Sequence, residues 1–293
     1  MNKCKVLVLA PALALASLLQ LAAAAVVVQR TRLIIEPGER EGAVVVSALP
    51  RTPSLTQVWL TAADGADVDH FSVMPALSLI KAGDSQNIRV IYQGEGVAAD
   101  RETLLRLNIQ DAAPTRSELQ GQNAVSSTLL QVIKVFYRPQ ALRGQDPLGA
   151  PLRLRWTIKE RKGRDYVLRL ENPGPFHIVF AGLALLGRDD KGAELVASDS
   201  EFQVLDPMAS VDVLLRASGI DAPVRQLVFS TVNDFGMTEV FSGDVVNGAI
   251  AGVERVRAVS SRPAEPGPSG TDPAVPPSAP PRPPASTARA ALG

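Results

Sequence analysis

The side chains able to do chemistry are few, and their spacing excludes more than it suggests. Cys4 is the only cysteine in the 293 residues. It lies in an apolar N-terminal run, which leaves the rest of the chain without material for zinc–thiolate, thiol-nucleophile or disulfide chemistry. The two histidines, His70 and His177, have no metal-ligand spacing, and each reads as a loop or core residue. Gly94-Glu95-Gly96-Val97-Ala98-Ala99 fits Gly-x-Gly-x-x-Ala, but no strand–helix–strand unit surrounds it to seat a dinucleotide. Gly-x-Ser-x-Gly, His-Glu-x-x-His and phosphate-loop patterns are missing. Scattered carboxylates could still meet in space as an acid–base pair, yet nothing in the spacing points to an enzyme, a metal or a cofactor. One cation stands out because an apolar, β-branched stretch surrounds it: Lys134 in the middle of residues 125–139. A charge there is unwelcome unless it snorkels to solvent or finds a partner.

The stretch that holds Lys134 reads as a long strand, rich in β-branched and aromatic residues, free of glycine and closed by Pro139. Val125, Leu129 and Ile133 fall on one face of its period-2 ladder; Leu130, Val132 and Phe136 fall on the other. A strand apolar on both faces is either central in a sandwich or an edge awaiting a partner. Short β-rich stretches precede it at 26–35, 43–47, 57–61, 73–79, 86–92 and 100–109, separated by turn signals such as Glu36-Pro37-Gly38-Glu39 and Lys81-Ala82-Gly83-Asp84. Residues 100–109 have the local character of a helix start, but their neighbours favour a strand. After a linker at 144–149, a second series follows at 152–158, 166–171, 178–186, 202–205, 210–215, 226–233 and 238–241, with a loop rich in Asp and Gly after residue 186. Such spacing predicts an all-β protein of two antiparallel sandwiches, each of about 100 residues.

The ends differ from the body. Lys3 and Lys5, an apolar run over 6–21 and the small residues Ala22 to Ala25 form a secretory signal, cut after Ala24 and leaving no integral membrane segment. From Arg262 to Pro284 there are ten prolines among Gly, Ser and Ala. That composition cannot bury enough surface to fold, so the tail is expected to be disordered or polyproline-like. The expected organisation is a signal peptide at 1–24, a first sandwich at 25–143, a linker at 144–149, a second sandwich at 150–253 and a tail at 254–293. In the whole chain 30 basic residues balance 30 acidic ones, which gives no electrostatic case for nucleic acid or an anionic membrane surface.

Several stretches, taken together and in order, resemble the PapD-like periplasmic chaperones of the chaperone–usher pilus pathway. Thr31-Arg32-Leu33-Ile34 resembles the family's first-strand Thr-Arg motif, and Gln57-Val58-Trp59 its Gln-x-Trp. Asp100-Arg101-Glu102-Thr103 with Asn108 resembles Asp-Arg-Glu-Ser…Asn, and residues 133–139 are close to Ile-Lys-x-Phe-Tyr-Arg-Pro. In the second half, Asn172-Pro173-Gly174-Pro175 and Val232-Asn233-Asp234-Phe235-Gly236 are similar to Asn-Pro-x-Pro and Ile-Asn-Asp-Tyr-Gly. Departures are Met74-Pro75 for the usual Pro-Pro, and Val97-Ala98 for the Leu-Pro ahead of Asp-Arg-Glu.

The resemblance implies two immunoglobulin-like sandwiches in an L-shaped arrangement, and a periplasmic, non-enzymatic chaperone without cofactors. Its expected partners are pilus subunits and an outer-membrane usher. By motif, Arg32 and Lys134 would hold the subunit's C-terminal carboxylate, and Val125, Ser127 and Leu129 would be donor residues filling the groove of a subunit that lacks its last strand. Ser127 is small and polar for such a pocket. Glu102, Arg138 and Asp234 would form a charge cluster that fixes the angle between domains. A self-capping dimer is a further candidate occupant of the donor strand. The alternative reading is an immunoglobulin-like surface-binding or adhesin module tethered by the proline-rich tail.

Overall fold

The computed structural model describes residues 26–112, 128–189, 192–199, 202–217, 219 and 221–256. The expected signal peptide, residues 257–293 of the expected tail, Val125 and Ser127 lie outside them; the strand Ala249–Arg255 takes in the first two residues of the tail expected from 254. The first half holds nine strands: β1 (Val26–Val28), β2 (Arg32–Ile35), β3 (Glu41–Ala48), β4 (Ser54–Ala62), β5 (Phe71–Met74), β6 (Leu77–Ile80), β7 (Ser85–Tyr92), β8 (Thr103–Ala112) and β9 (Thr128–Tyr137). They form two sheets, ordered β1-β3-β7-β5 and β2-β9-β8-β4-β6. Alternation builds the core between them: Val44, Val46, Ile88 and Val90 from one sheet meet Leu105, Leu107, Ile109, Ile133 and Val135 from the other.

Two short 3-10 turns, Gln140–Leu142 and Ala150–Arg153, lead into the second half. Its strands are β10 (Arg155–Lys162), β11 (Asp165–Asn172), β12 (Ile178–Asp189), β13 (Gly192–Asp199), β14 (Val204–Leu205), β15 (Ala209–Ala217), β16 (Val224–Val232), β17 (Thr238–Val246) and β18 (Ala249–Arg255). Pairing runs β13-β15-β11-β10-β18-β17-β16-β12-β14, and a further β12–β13 pairing joins the two layers at an edge. Trp156, Leu168, Leu170, Leu185, Leu227, Phe229 and Phe241 fill this second core. The molecule is thus all-β, with two immunoglobulin-like sandwiches.

Three local expectations are corrected. Residues 26–35 form two strands rather than one: β1 pairs antiparallel with β3, while β2 pairs parallel with β9 in the opposite sheet. The polar interruption Gln29-Arg30-Thr31 is where the chain crosses between layers. The Asp- and Gly-rich segment after residue 186 is no loop, because β12 continues to Asp189 and β13 pairs antiparallel with it. The strand β18 was not expected, although Asn247 and Gly248, both at positive φ (51° and 79°), make the tight turn that an Asn-Gly pair favours.

Candidate functional site

Each expected site residue is positioned by a nearby strand end or turn. Arg32 opens β2 and Lys134 lies in β9, and the parallel register sets them side by side. Lys134 also opposes Arg106 of β8 in the antiparallel register. Alternation places all three on the outer face of the sheet, since the neighbours Leu33, Leu105, Ile133 and Val135 point into the core.

Arg32 is 9% exposed. Its Nη1 donates to the carbonyl of Val232 in the second half at 2.9 Å, and its guanidinium lies 5.9 Å from the centre of the Phe136 ring. Its Nε is buried and makes no hydrogen bond among the described residues. Desolvation holds the Arg32 pKa below the usual arginine value, against the opposing pull of Asp234 and Glu102. The Lys134 ammonium is also held below its ordinary value, first by burial and then by repulsion from Arg32 and Arg106. No hydrogen bond or ion pair reaches Lys134 among the described residues. A groove of about 560 Å³ opens beside it, lined among others by Leu104, Arg106, Val132, Gln203 and Asp206.

Beyond this pair β9 changes character. β2 pairs with Lys134 to Tyr137 alone, so residues 128–133 have no strand on that side among the described residues. Leu129, Leu130 and Val132 are 41%, 50% and 49% exposed there. Of the three donor positions inferred by resemblance, only Leu129 is described. It shares the face of Ile133 and Val135.

Glu102, Arg138 and Asp234 are brought together. Arg138 is 4% exposed, its Nε donates to Oε1 of Glu102 at 2.9 Å and its Nη2 to Oδ1 of Asp234 at 2.9 Å. Burial alone would lower its pKa, but the hydrogen bonds and charges of Asp234 and Glu102 outweigh that and hold the guanidinium above its ordinary value. Two loops aim the partners from the second half. Asn172 donates to the carbonyls of Phe176 (2.7 Å) and Asp206 (3.0 Å) and accepts from the Gly174 amide (3.1 Å), which fixes the turn after β11. The Asn233 side chain accepts from the amides of Phe235 and Met237, both at 3.0 Å, and Gly236 takes φ +79° in the same turn, which presents Asp234.

His177 is the residue that the sequence reading missed. Its backbone N–H donates to Oε2 of Glu102 at 2.8 Å, and its Nδ1 lies 2.9 Å from the same oxygen. Far from being an isolated core histidine, it completes the clamp on Glu102 from the second sandwich. Its place directly after Phe176, at the end of the Asn-Pro-Gly-Pro-Phe turn, was the available signal. Leu104, Phe136 and Val179 bury one another beside the clamp and supply the apolar part of the contact between halves. Gly94 and Gly96, by contrast, have positive φ (105° and 85°) in the turn after β7, and a Cβ at Gly96 would lie 1.9 Å from the His70 ring. Their spacing serves a turn.

The family model for the pili and flagellar-assembly chaperone, PapD N-terminal domain, matches residues 25–143, and that for the pili assembly chaperone PapD, C-terminal domain, matches 149–241. The chaperone protein FimB/FhaD of Bordetella pertussis is 29% identical over 231 residues, 76% of this chain and 88% of that protein. The probable fimbrial chaperone YadV of Escherichia coli is 27% identical over 226 residues, 72% and 86% of the two chains. The crystal structure of the YadV chaperone shares the fold with a TM-score of 0.60 at 24% identity, covering 75% of this chain and 100% of that one. A chain of the Salmonella enterica complex of SafA pilin with the SafB chaperone also gives 0.60 at 24% identity, covering 76% and 97%.

Proposed function

The chain belongs to the PapD-like family of pilus-assembly chaperones, and we propose that it captures and caps pilus subunits in the periplasm and delivers them to an outer-membrane usher. One observation carries this reading. The Arg32–Lys134 pair stands where the pairing of β9 with β2 ends and its open edge begins. A carboxylate bound between the two cations accepts charge-assisted hydrogen bonds, about 1.5–3 kcal/mol each where partly desolvated.

The edge then sets direction. A client chain whose C-terminus lies at Lys134 and whose preceding residues follow 128–133 runs parallel to β9, continuing the course of β2. Backbone pairing along this edge supplies affinity without side-chain specificity, while the anchored terminus fixes register. Leu129, with Val125 and Ser127 before it, would fill the groove that an incomplete immunoglobulin-like subunit leaves open. Glu102, Arg138 and Asp234 hold the two sandwiches at the angle that keeps the anchor beside the groove. No reaction at the site is required: release follows when another strand replaces β9. No helix among the described residues is long and apolar enough to cross a membrane.

The test is co-purification with a co-expressed fimbrial subunit from periplasmic extracts. Arg32→Ala and Lys134→Ala are each expected to lose the complex while retaining the circular dichroism spectrum of the parent. Normal yields of complex from both variants would sink the anchor.

A further inference from the structure

The outer face carries one cation more than a single carboxylate needs. Arg32, Lys134 and Arg106 occupy facing positions on three adjacent strands, β2, β9 and β8. At about 4.8 Å between strands, the row spans roughly 10 Å of backbone. Like charges directly opposite one another across strands are unfavourable; Asp234 and Glu102 act on Arg32, while Lys134 faces only its cationic neighbours. Arg32 spends one donor on a backbone carbonyl and keeps a buried Nε without a partner. Arg106 is exposed, and neither it nor Lys134 enters an ion pair among the described residues. Asp206, on the opposite wall of the groove, is 70% exposed at its side chain and lies 3.7 Å from Nε2 of His177. It forms no ion pair with Lys134 or Arg106.

We propose that Arg106 is a specificity-determining residue, which selects clients whose C-terminal residue carries an acidic side chain. This rests on the anchor proposed above. The terminal carboxylate lies between Arg32 and Lys134, and the side-chain carboxylate crosses the outer face of β9 to Arg106. One carboxylate between Arg32 and Lys134 leaves Arg106 without an ion-pair partner, and a second carboxylate supplies it. Val132, 49% exposed beside the groove, gives the methylene groups of such a side chain an apolar surface to cross. Because Arg106 repels Lys134, a second carboxylate also relieves the neighbour that binds the first.

The experiment measures fluorescence anisotropy with labelled peptides of alternating valine and threonine, ending in glutamate, in glutamine, or in glutamine amide. Wild-type chain at low salt is expected to bind the glutamate peptide about three- to fivefold more tightly than the glutamine peptide, the range of a partly exposed ion pair. In Arg106→Gln that ratio is expected to fall below about twofold, and high salt should shrink it in the wild type. A glutamate preference that is absent, or that survives in Arg106→Gln, overturns the role of Arg106 while leaving the anchor standing. Equal binding of glutamine acid and glutamine amide, or no binding by any peptide, overturns the anchor itself.

Discussion

Removing the Lys134 charge should stabilise the free chain and disable it at once. In β9 the ammonium faces Arg32 on one side and Arg106 on the other, and its depressed pKa reports that burial and both neighbours oppose the charge. A directly opposed like-charge pair on adjacent strands costs about 0.2–1 kcal/mol. Arg106 is exposed and its share is screened, so the two pairs together cost about 0.5–1.5 kcal/mol. Lys134→Met keeps the apolar stem and removes the charge. For a sandwich of this size, that is a rise in unfolding temperature of roughly 2–6 °C at low salt. The pH dependence has a definite sign. A lysine whose folded pKa lies below its unfolded value of about 10.4 penalises folding fully at neutral pH, and the penalty lifts as pH rises through the folded value. The advantage of Lys134→Met should therefore shrink as pH rises toward the unfolded value of about 10.4, and also in 1 M salt. Scanning calorimetry of the free proteins, paired with subunit capture, checks both halves. A variant that melts below wild type at low salt would refute the electrostatic account, whatever it does to capture.

Two further substitutions probe the scaffold. Arg138→Met leaves Glu102 buried without its cation, which is expected to cost about 3–5 kcal/mol, whereas His177→Ala removes one donor beside a retained backbone N–H and should cost about 1–3 kcal/mol; denaturant titration that ranks them the other way would show that the histidine carries the clamp. Gly96→Ala combines φ +85° with a Cβ placed 1.9 Å from the His70 ring, so a loss of about 1–3 kcal/mol is expected, and His70→Ala in the same chain should recover the steric part; equal melting of single and double variants would place the whole cost in the backbone.

Much of the fold could be read from residue types because a sandwich writes itself as alternation. Leu105, Leu107 and Ile109 on one face, with Arg106 and Asn108 on the other, specify a strand that local helix signals between 100 and 109 do not outweigh. Where reading stopped at local pattern it erred: the change of sheet between β1 and β2 rests on which neighbour each half pairs with, and β13 exists because β12 offers it an edge. The site divides in the same way. Lys134 was conspicuous as a charge in apolar surroundings and Arg32 was marked by its motif, but their adjacency comes from a parallel register between distant segments. Arg106 looked like an ordinary outward residue of an amphipathic strand, and only the register makes it the third member of a row. His177 gave no signal by type, because its partner Glu102 is supplied by the other sandwich.

The anchor and the clamp are two parts of one electrostatic unit, joined through Arg32. Its Nη1 reaches the carbonyl of Val232, two residues before Asp234, so the turn that presents the clamp's carboxylate also holds the anchor's guanidinium. Asp234 and Glu102 partly offset the burial that depresses Arg32. Lys134 has no such support and is opposed by both of its cationic neighbours. The asymmetry gives the two cations different duties. Arg32 is fixed in place by the contact between sandwiches, while Lys134 is left in an unfavourable state that a carboxylate bound at the proposed anchor would relieve. In the proposed anchor, binding energy would thus come in part from repulsion already present in the free chain, and it would depend on the two halves staying docked.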